Sequence, residues 1–373
     1  MQEENKMLAE FRVKNYKNFR DELRFSLESG KNYEFNQEAV QNGIIKDSVV
    51  IGYNASGKTN LGLAMMDIIV HLTNQKWSKG YSLFYSNLYS QDDIVSFVYK
   101  FKFDTHVLEY AYEKEDQEHV IRETVKIDGK KVLVNDIEVC FVNLKGAETL
   151  NLDNWDGSIS LVKYVYANTI LDKEDKECFV FLQFLNFVNQ MVWLSSTEGL
   201  RSLGTDLSGG NLLEAICNLK SGAEELEVFL REAGLAYKLV IRDKGEGKTI
   251  YCKMGKREVP FAPLMSSGTR SLVFLFLWYM RRTSLSFIFI DEFDAFYHTD
   301  LSIAVINKLL AEEHIQVVFT SHNTDIISNE LLRPDCYFIL GDNRIQPFCN
   351  LTDKALREAH NLQKMYKAGA FHE

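Results

Sequence analysis

The sequence predicts an α/β protein: a mixed, largely parallel sheet split along the chain, carrying an inserted antiparallel β lobe and a helical lobe. Three observations lead there. A short apolar strand runs into a glycine-rich turn at residues 47–59 and on into an apolar helix, as in α/β cores. A second apolar run, Phe287–Ile290, ends in the paired carboxylates Asp291 and Glu292. Between them, residues 94–140 alternate apolar and polar side chains, the period of an antiparallel sheet with one wet face.

Taken in order, Phe11 and Val13 alternate with polar neighbours, as do Leu23, Phe25 and Leu27, so the chain opens with two strands joined by a polar turn. Residues 61–72 (LGLAMMDIIVHL) are apolar around most of a helical circumference, the pattern of a buried helix. Segments such as VSFVYKFKF and HVLEYAYE form the β lobe, with a tight turn at Asp128-Gly129. Residues 161–194 and 211–233 read as helical, and 237–259 as a hairpin around Gly245-Glu246-Gly247. A second α/β stretch follows from Ser266, with strands at 287–290, 316–320 and 336–340. Three segments result: 1–80 with the glycine turn, 81–260 with the inserted lobes and hairpin, and 261–373 as the closing lobe.

Composition bounds the function. The 373 residues are 46% hydrophobic and 25% charged, ordinary globular proportions that can build a large core. Forty-two Lys and Arg face 52 Asp and Glu, a net charge of −10, which argues against a surface uniformly coated for nucleic acid. The longest purely apolar run, Leu272–Met280, is too short for a bilayer. No signal peptide is visible at the amino terminus. Six scattered cysteines without a C-x-x-C pair suit reduced thiols, and the expected location is the cytoplasm.

Gly52-Tyr-Asn-Ala-Ser-Gly-Lys58-Thr59 matches G-x-x-x-x-G-K-[ST] between a strand and a helix. Glycines let the backbone curl so that N–H groups face phosphate oxygens, and the helix adds its positive end. The expected nucleotide contacts are Gly52, Asn54, Ala55, Ser56, Gly57, Lys58, Thr59 and Asn60. Lys58 would reach the β- and γ-phosphates, and the Thr59 hydroxyl would ligate Mg²⁺. Asp291 emerges at the carboxyl end of a buried strand, where it can hold Mg²⁺. Glu292 beside it can act as general base on an attacking water.

Lys58 and Asp291 stand far apart in the chain, so a large insertion separates the two motifs. GYNASGKTN, with asparagines at 54 and 60, resembles the phosphate loop of ABC-class AAA-family ATPases related to SMC, RecF and OLD proteins. The resemblance implies an ABC-type ATPase head, with ATP and Mg²⁺ as ligands. It also implies a signature loop of the form L-S-x-G ahead of the carboxylate strand. Leu207-Ser-Gly-Gly210 spells those letters but lies far upstream of Asp291, before the 237–259 hairpin. Met265-Ser-Ser-Gly268 lies much nearer to Asp291 and opens an apolar helix, so Ser266, Ser267 and Gly268 are taken as the signature. Met at the first position is a volume-conserving departure from the family's Leu. Asp294 resembles the loop that senses a partner's site, and His322, after the strand 317–320, resembles the switch histidine that hydrogen-bonds the γ-phosphate. For the family's magnesium-watching glutamine, Gln91, Gln183 and Gln190 are candidates, each more readily a solvated glutamine.

In such ATPases two subunits meet head to tail, with nucleotide between one phosphate loop and the other signature. The resemblance therefore implies a homodimer and slow hydrolysis by a lone chain. SMC and RecN proteins carry long coiled coils and OLD proteins a carboxyl-terminal nuclease domain; this sequence has no sustained heptads, and the stretch after His322 is too short for such a domain. Residues 351–373 resemble the tail of stand-alone ATPases of bacterial phage-defence and abortive-infection systems, which implies a separate effector, a nuclease or toxin. The alternative is a DNA-binding clamp for repair or chromosome maintenance. Its candidate surface lies between Lys238 and Glu258, where seven basic and three acidic residues leave a net +4, with Lys248, Lys253, Lys256 and Arg257 as candidate nucleic-acid contacts. A solvated hairpin balancing a nearby acidic face is the plainer reading.

Overall fold

The computed structural model describes residues 6–77, 79–152, 155, 157, 159–196, 200–204, 212–243, 245 and 247–371. Five strands buried on both faces form the parallel centre of a seven-stranded sheet, in the order Met191–Ser195, Phe287–Asp291, Gln316–Ser321, Asp47–Ile51, Tyr337–Gly341. Antiparallel strands Arg201–Leu203 and Arg344–Pro347 close its edges. Burial on both sides explains why these strands read as apolar runs without alternation.

The second seven-stranded sheet is antiparallel and joins Lys6–Lys14 and Leu23–Ser26 to five strands between Val95 and Val142. In Val95–Phe103 every second residue is buried, as the sequence pattern predicts. The strands of each sheet thus come from more than one of the three sequence segments. Between the sheets run the helices Lys58–Met65, Asp67–Leu72 and Lys176–Asn189; Tyr99 of the antiparallel sheet donates to the Ala64 carbonyl at 3.0 Å. The helical lobe, Leu212–Cys217 and Gly222–Glu232, packs on the three-stranded sheet Leu239–Asp243, Lys248–Met254, Arg257–Pro260 and on helix Ser267–Tyr279.

Two sequence expectations change. The helical reading of 161–194 resolves into helices Leu161–Asn168 and Lys176–Asn189, but its last residues are the strand Met191–Ser195. A short apolar run has no period to tell strand from buried helix; here pairing with Phe287–Asp291 decides. The hairpin at 237–259 gains a third strand, Arg257–Pro260. Among the described residues the longest helix has 14 residues, no long coiled coil is present, and no helix is long and apolar enough to cross a membrane. All six cysteines are free.

Candidate functional site

Register brings the motifs together. Ile51 pairs with Ser321, Ile290 with Phe319, and Ser195 with Asp291, so the parallel strands end at one edge of the sheet. The loops beginning at Gly52, Glu292 and His322 therefore emerge side by side, at the carboxyl edge where open α/β sheets bind ligands.

The phosphate loop is pre-shaped. Ala55 (φ 64°) and Gly57 (φ 101°) both take left-handed backbone, and a Cβ on Gly57 would lie 2.4 Å from the Asn18 amide nitrogen. Helix Lys58–Met65 starts on Gly57 with no side chain capping it, leaving its first N–H groups to an anion. Ser56 Oγ is buried without a partner among the described residues, one more polar group inside the cradle. Asn60 Nδ2 donates to Asn18 Oδ1 at 2.6 Å, which ties the helix start to the turn after the first strand. Tyr53 and Asn54 are exposed at the loop's crest.

Lys58 is buried, and its ammonium donates to the carbonyls of Gly52 (2.8 Å) and Tyr53 (3.1 Å) and lies 3.3 Å from His322 Nδ1. Burial pulls its pKa down to about 8, opposed by the charges of Glu292 and Asp291. His322 Nε2 in turn sits 3.4 Å from Glu292 Oε1. An ammonium can only donate, so in the tautomer whose Nδ1 accepts from Lys58 the Nε2–H faces the carboxylate. Lys58, His322 and Glu292 form one chain of contacts across three strand ends.

Asp291 is 1% exposed. Its Oδ2 accepts from Thr59 Oγ1 at 2.8 Å and its Oδ1 from Thr320 Oγ1 at 2.8 Å. Burial pushes its carboxyl up to about 6, against the lowering pull of those two hydroxyls, so a neighbouring cation would stabilise its charged form. A hydroxyl and a carboxylate oxygen in contact are hard donors that fit Mg²⁺. Glu292 takes left-handed backbone (φ 45°), disfavoured for a bulky residue, and its N–H donates to Thr320 Oγ1 at 2.8 Å. That turn aims its carboxylate at His322 instead of along the strand. Asp294 accepts from Ser321 Oγ at 2.7 Å, coupling the 294 loop to the residue before His322. Burial raises the Asp294 carboxyl.

The signature candidate caps its helix: Ser266 Oγ accepts from the Thr269 N–H at 3.1 Å, and Ser267 and Gly268 form the first turn of Ser267–Tyr279. Gly268 lies against the carbonyl of Phe296, where a Cβ would be 2.9 Å away. Glycine is needed for that approach. Leu207–Gly210, the rival stretch, lies outside the described residues.

The glutamine candidates scatter. Gln190 precedes strand Met191–Ser195, at the end of the sheet opposite Asp291; several strand residues at ~3.3 Å each separate them. Gln183 is on helix Lys176–Asn189. Gln91 is exposed before strand Val95–Phe103, beside Asp92, whose carbonyl accepts from Asn15; among the described residues no contact joins it to Thr59 or Asp291. Serines take the place beside Asp291: Ser195 pairs with it in register, and Ser196 donates its N–H to the Asp291 carbonyl at 3.4 Å.

The basic hairpin divides its charges. Arg242 makes a two-point contact with Glu258 (2.6 and 2.7 Å), and Lys238 pairs with Glu227 at 2.6 Å. Lys253 faces Glu258 across the register, while alternation puts Lys248 and Arg257 on the other face and Lys256 in the turn. Among the described residues, no single face carries a row of cations.

Asn18, Thr320 and Ser196 were not singled out in the sequence. Asn18 sits in an ordinary polar turn, and nothing local marks it. Thr320 had a usable signal, a hydroxyl residue two before the switch histidine.

Residues 211–328 match the family model described as "AAA domain, putative AbiEii toxin, Type IV TA system". That segment holds the signature candidate Ser266–Gly268, the strand ending in Asp291, and His322. A search of curated proteins finds no match. Among solved structures, an Smc head bound to the C-winged helix domain of ScpA aligns with TM-score 0.47 and 11% identity, over 91% of this chain and 96% of that one. The SMC head domain from Thermotoga maritima gives 0.45 and 14%, over 91% and 98%. An Smc head with an extended coiled coil, bound to the C-terminal domain of ScpA and derived from Pyrococcus furiosus, gives 0.43 and 12%, over 97% and 98%. Motif order, sheet register and the matched segment make this chain similar to ABC-class AAA ATPases.

Proposed function

We propose that the protein is an ATP-hydrolysing switch whose head-to-tail homodimer, closed by ATP, controls a separate effector, a nuclease or toxin, in bacterial anti-phage defence. The observation that carries the ATPase reading is the contact chain Lys58–His322–Glu292 beside the Thr59–Asp291 pair. The matched family description, which names a toxin of a toxin–antitoxin system, supports the defence role.

In this reading the phosphate loop and the open helix end bind the β- and γ-phosphates, and Lys58 leaves the loop carbonyls to meet them. Thr59 and Asp291 hold Mg²⁺, which neutralises charge on the phosphates when bound. Glu292 takes a proton from the attacking water, oriented through His322. Ser266, Ser267 and Gly268 present a helix amino end to the γ-phosphate on a second copy, so hydrolysis depends on dimerisation. The split charges of the 239–260 sheet give the DNA-clamp alternative little footing.

The test uses two variants. Lys58→Ala loses ATP binding. Glu292→Gln keeps it, hydrolyses about 10²–10⁴-fold more slowly, and accumulates an ATP-bound dimer in light scattering. Hydrolysis by Glu292→Gln at the parental rate removes Glu292 from the role of base.

A further inference from the structure

A cavity lies beside the phosphate loop, on the side away from the carboxylate strand. In the sheet order, strand Asp47–Ile51 has Gln316–Ser321 on one flank and Tyr337–Gly341 on the other. Ile51 pairs with Ile339, so Gly52 and Tyr53 leave the sheet alongside Leu340 and Gly341. The two segments are close there: a Cβ on Gly52 would lie 2.6 Å from the Leu340 carbonyl oxygen. Tyr53, Leu340 and Gly341 border a cavity of about 520 Å³, within the range of small-ligand sites. It opens at the carboxyl ends of the same parallel strands that carry the Lys58 and Asp291 motifs, the edge where such sheets take ligands.

Its walls differ in chemistry. On one side stands Tyr53, 70% exposed. Strand Arg344–Pro347 supplies Arg344 and Gln346; two apart in a strand, they share a face, while Ile345 between them is buried on the other. Leu351 and Phe371 make the apolar wall, and Phe371 is itself buried, stacked on Phe348 with 4.4 Å between ring centroids. The polar strand is fixed by its turn, where Asn343 takes left-handed backbone (φ 60°) and its side-chain amide donates to the Asp21 carbonyl at 3.1 Å. One cavity thus joins an aromatic ring, a hydrogen-bonding strand face and an apolar floor.

We propose that this cavity is the nucleobase subsite: it takes the purine of the nucleotide whose phosphates lie in the phosphate loop, with the Tyr53 ring against the base and Arg344 and Gln346 at its polar edge. This rests on the nucleotide reading of residues 52–60. The ligand class follows from the walls. A purine offers a flat π-face, for which a tyrosine ring is a stacking partner, and an edge of hydrogen-bond donors and acceptors. Gln346 carries both a donor and an acceptor, and Arg344 a planar set of donors, which match such an edge. Tyr53 directly follows Gly52 in the cradle, so a group filling this cavity can be covalently continuous with the phosphates, an adjacency that a free heterocycle would not use. Recognition of the base then belongs to one chain and does not await a partner copy.

The experiment measures binding of ATP and of inorganic tripolyphosphate, each with Mg²⁺, by calorimetry. It compares the Glu292→Gln protein with the same protein carrying Tyr53→Ala, Tyr53→Phe or Arg344→Ala. Tyr53→Ala weakens ATP binding about tenfold or more, the scale of one lost base–aromatic stack, and Arg344→Ala weakens it in the same direction. Tyr53→Phe keeps the ring and the parental ATP affinity. Tripolyphosphate has no base and binds all four proteins equally. Parental ATP affinity in either alanine variant overturns the subsite. So does an equal loss for ATP and tripolyphosphate in Tyr53→Ala, which makes Tyr53 a part of the phosphate cradle instead. Both results leave the nucleotide reading standing. Absence of ATP binding in the Glu292→Gln protein, or its persistence in Lys58→Ala, overturns that reading and the subsite with it.

Discussion

At the residue scale the site is built around two buried charges of opposite sign, Lys58 and Asp291, each shifted toward neutrality by burial. Thr320 is the joint between Asp291 and its neighbour: its hydroxyl donates to the Asp291 carboxylate and accepts the Glu292 N–H. Thr320→Val keeps the shape and removes both bonds, so kcat is expected to fall about 10–100-fold, with weaker Mg²⁺ half-saturation and a melting temperature lowered by a few degrees. Unchanged kcat and Mg²⁺ dependence would show that Glu292 is held without it. Lys58, Thr59, Asp291 and Glu292 were legible because each belongs to a contiguous motif whose spacing states its chemistry. Asn18 and Ser196 were not, since their roles exist only once the sheet register and the 15–18 turn place them.

At the element scale, helix Asp67–Leu72 continues the line of the phosphate-loop helix into the antiparallel sheet. There Asp67 accepts from Tyr85, Tyr112 and Lys114, and His71 Nε2 lies 2.6 Å from the Tyr110 hydroxyl and 3.1 Å from Glu123. Burial holds His71 below its ordinary value of 6.5, outweighing the raising pull of Glu123. The unfolded chain therefore binds a proton that the folded one refuses, and stability rises with pH through this window. The contribution is present above about pH 6.5 and is lost as pH falls below it. Melting temperature should drop between pH 7 and 5.5 more steeply in the parent than in His71→Gln, measured by calorimetry; parallel slopes would exclude His71 as the source. Strand alternation in the antiparallel sheet was legible because one side chain in two is buried. Strand Met191–Ser195 was not, because all of its residues are buried and only its pairing partner identifies it.

At the scale of the whole molecule, the five parallel strands put three distant segments on one edge, which is why motifs as remote in the chain as Lys58 and Asp291 build one site. The net charge of −10 is compatible with a nucleotide because the phosphate cradle uses backbone N–H groups and one lysine. The chain end joins the same machinery. Lys367 pairs at 2.9 Å with Asp325, which lies just beyond His322, and Tyr366 and Phe371 stack on Phe348. Asp325 and Lys367 are both about half exposed, so the pair is worth at most ~1 kcal/mol and can open and close easily. In the proposed head-to-tail dimer, the phosphate-loop face and the residue 266–268 face of one chain would each supply half of a site.

The central claim is that the site is shared between copies, and mixing two inactive variants tests it most directly. Lys58→Ala disables the phosphate loop and leaves the signature. Ser267→Glu places a negative charge at the signature helix start, compatible with the helix but repelling phosphate, and leaves the phosphate loop. Each variant alone should hydrolyse ATP negligibly. Their equimolar mixture should recover about a quarter of the parental rate, because half of the dimers are mixed and each holds one intact site. No recovery in the mixture, or parental activity in Ser267→Glu alone, would contradict a site shared between two chains.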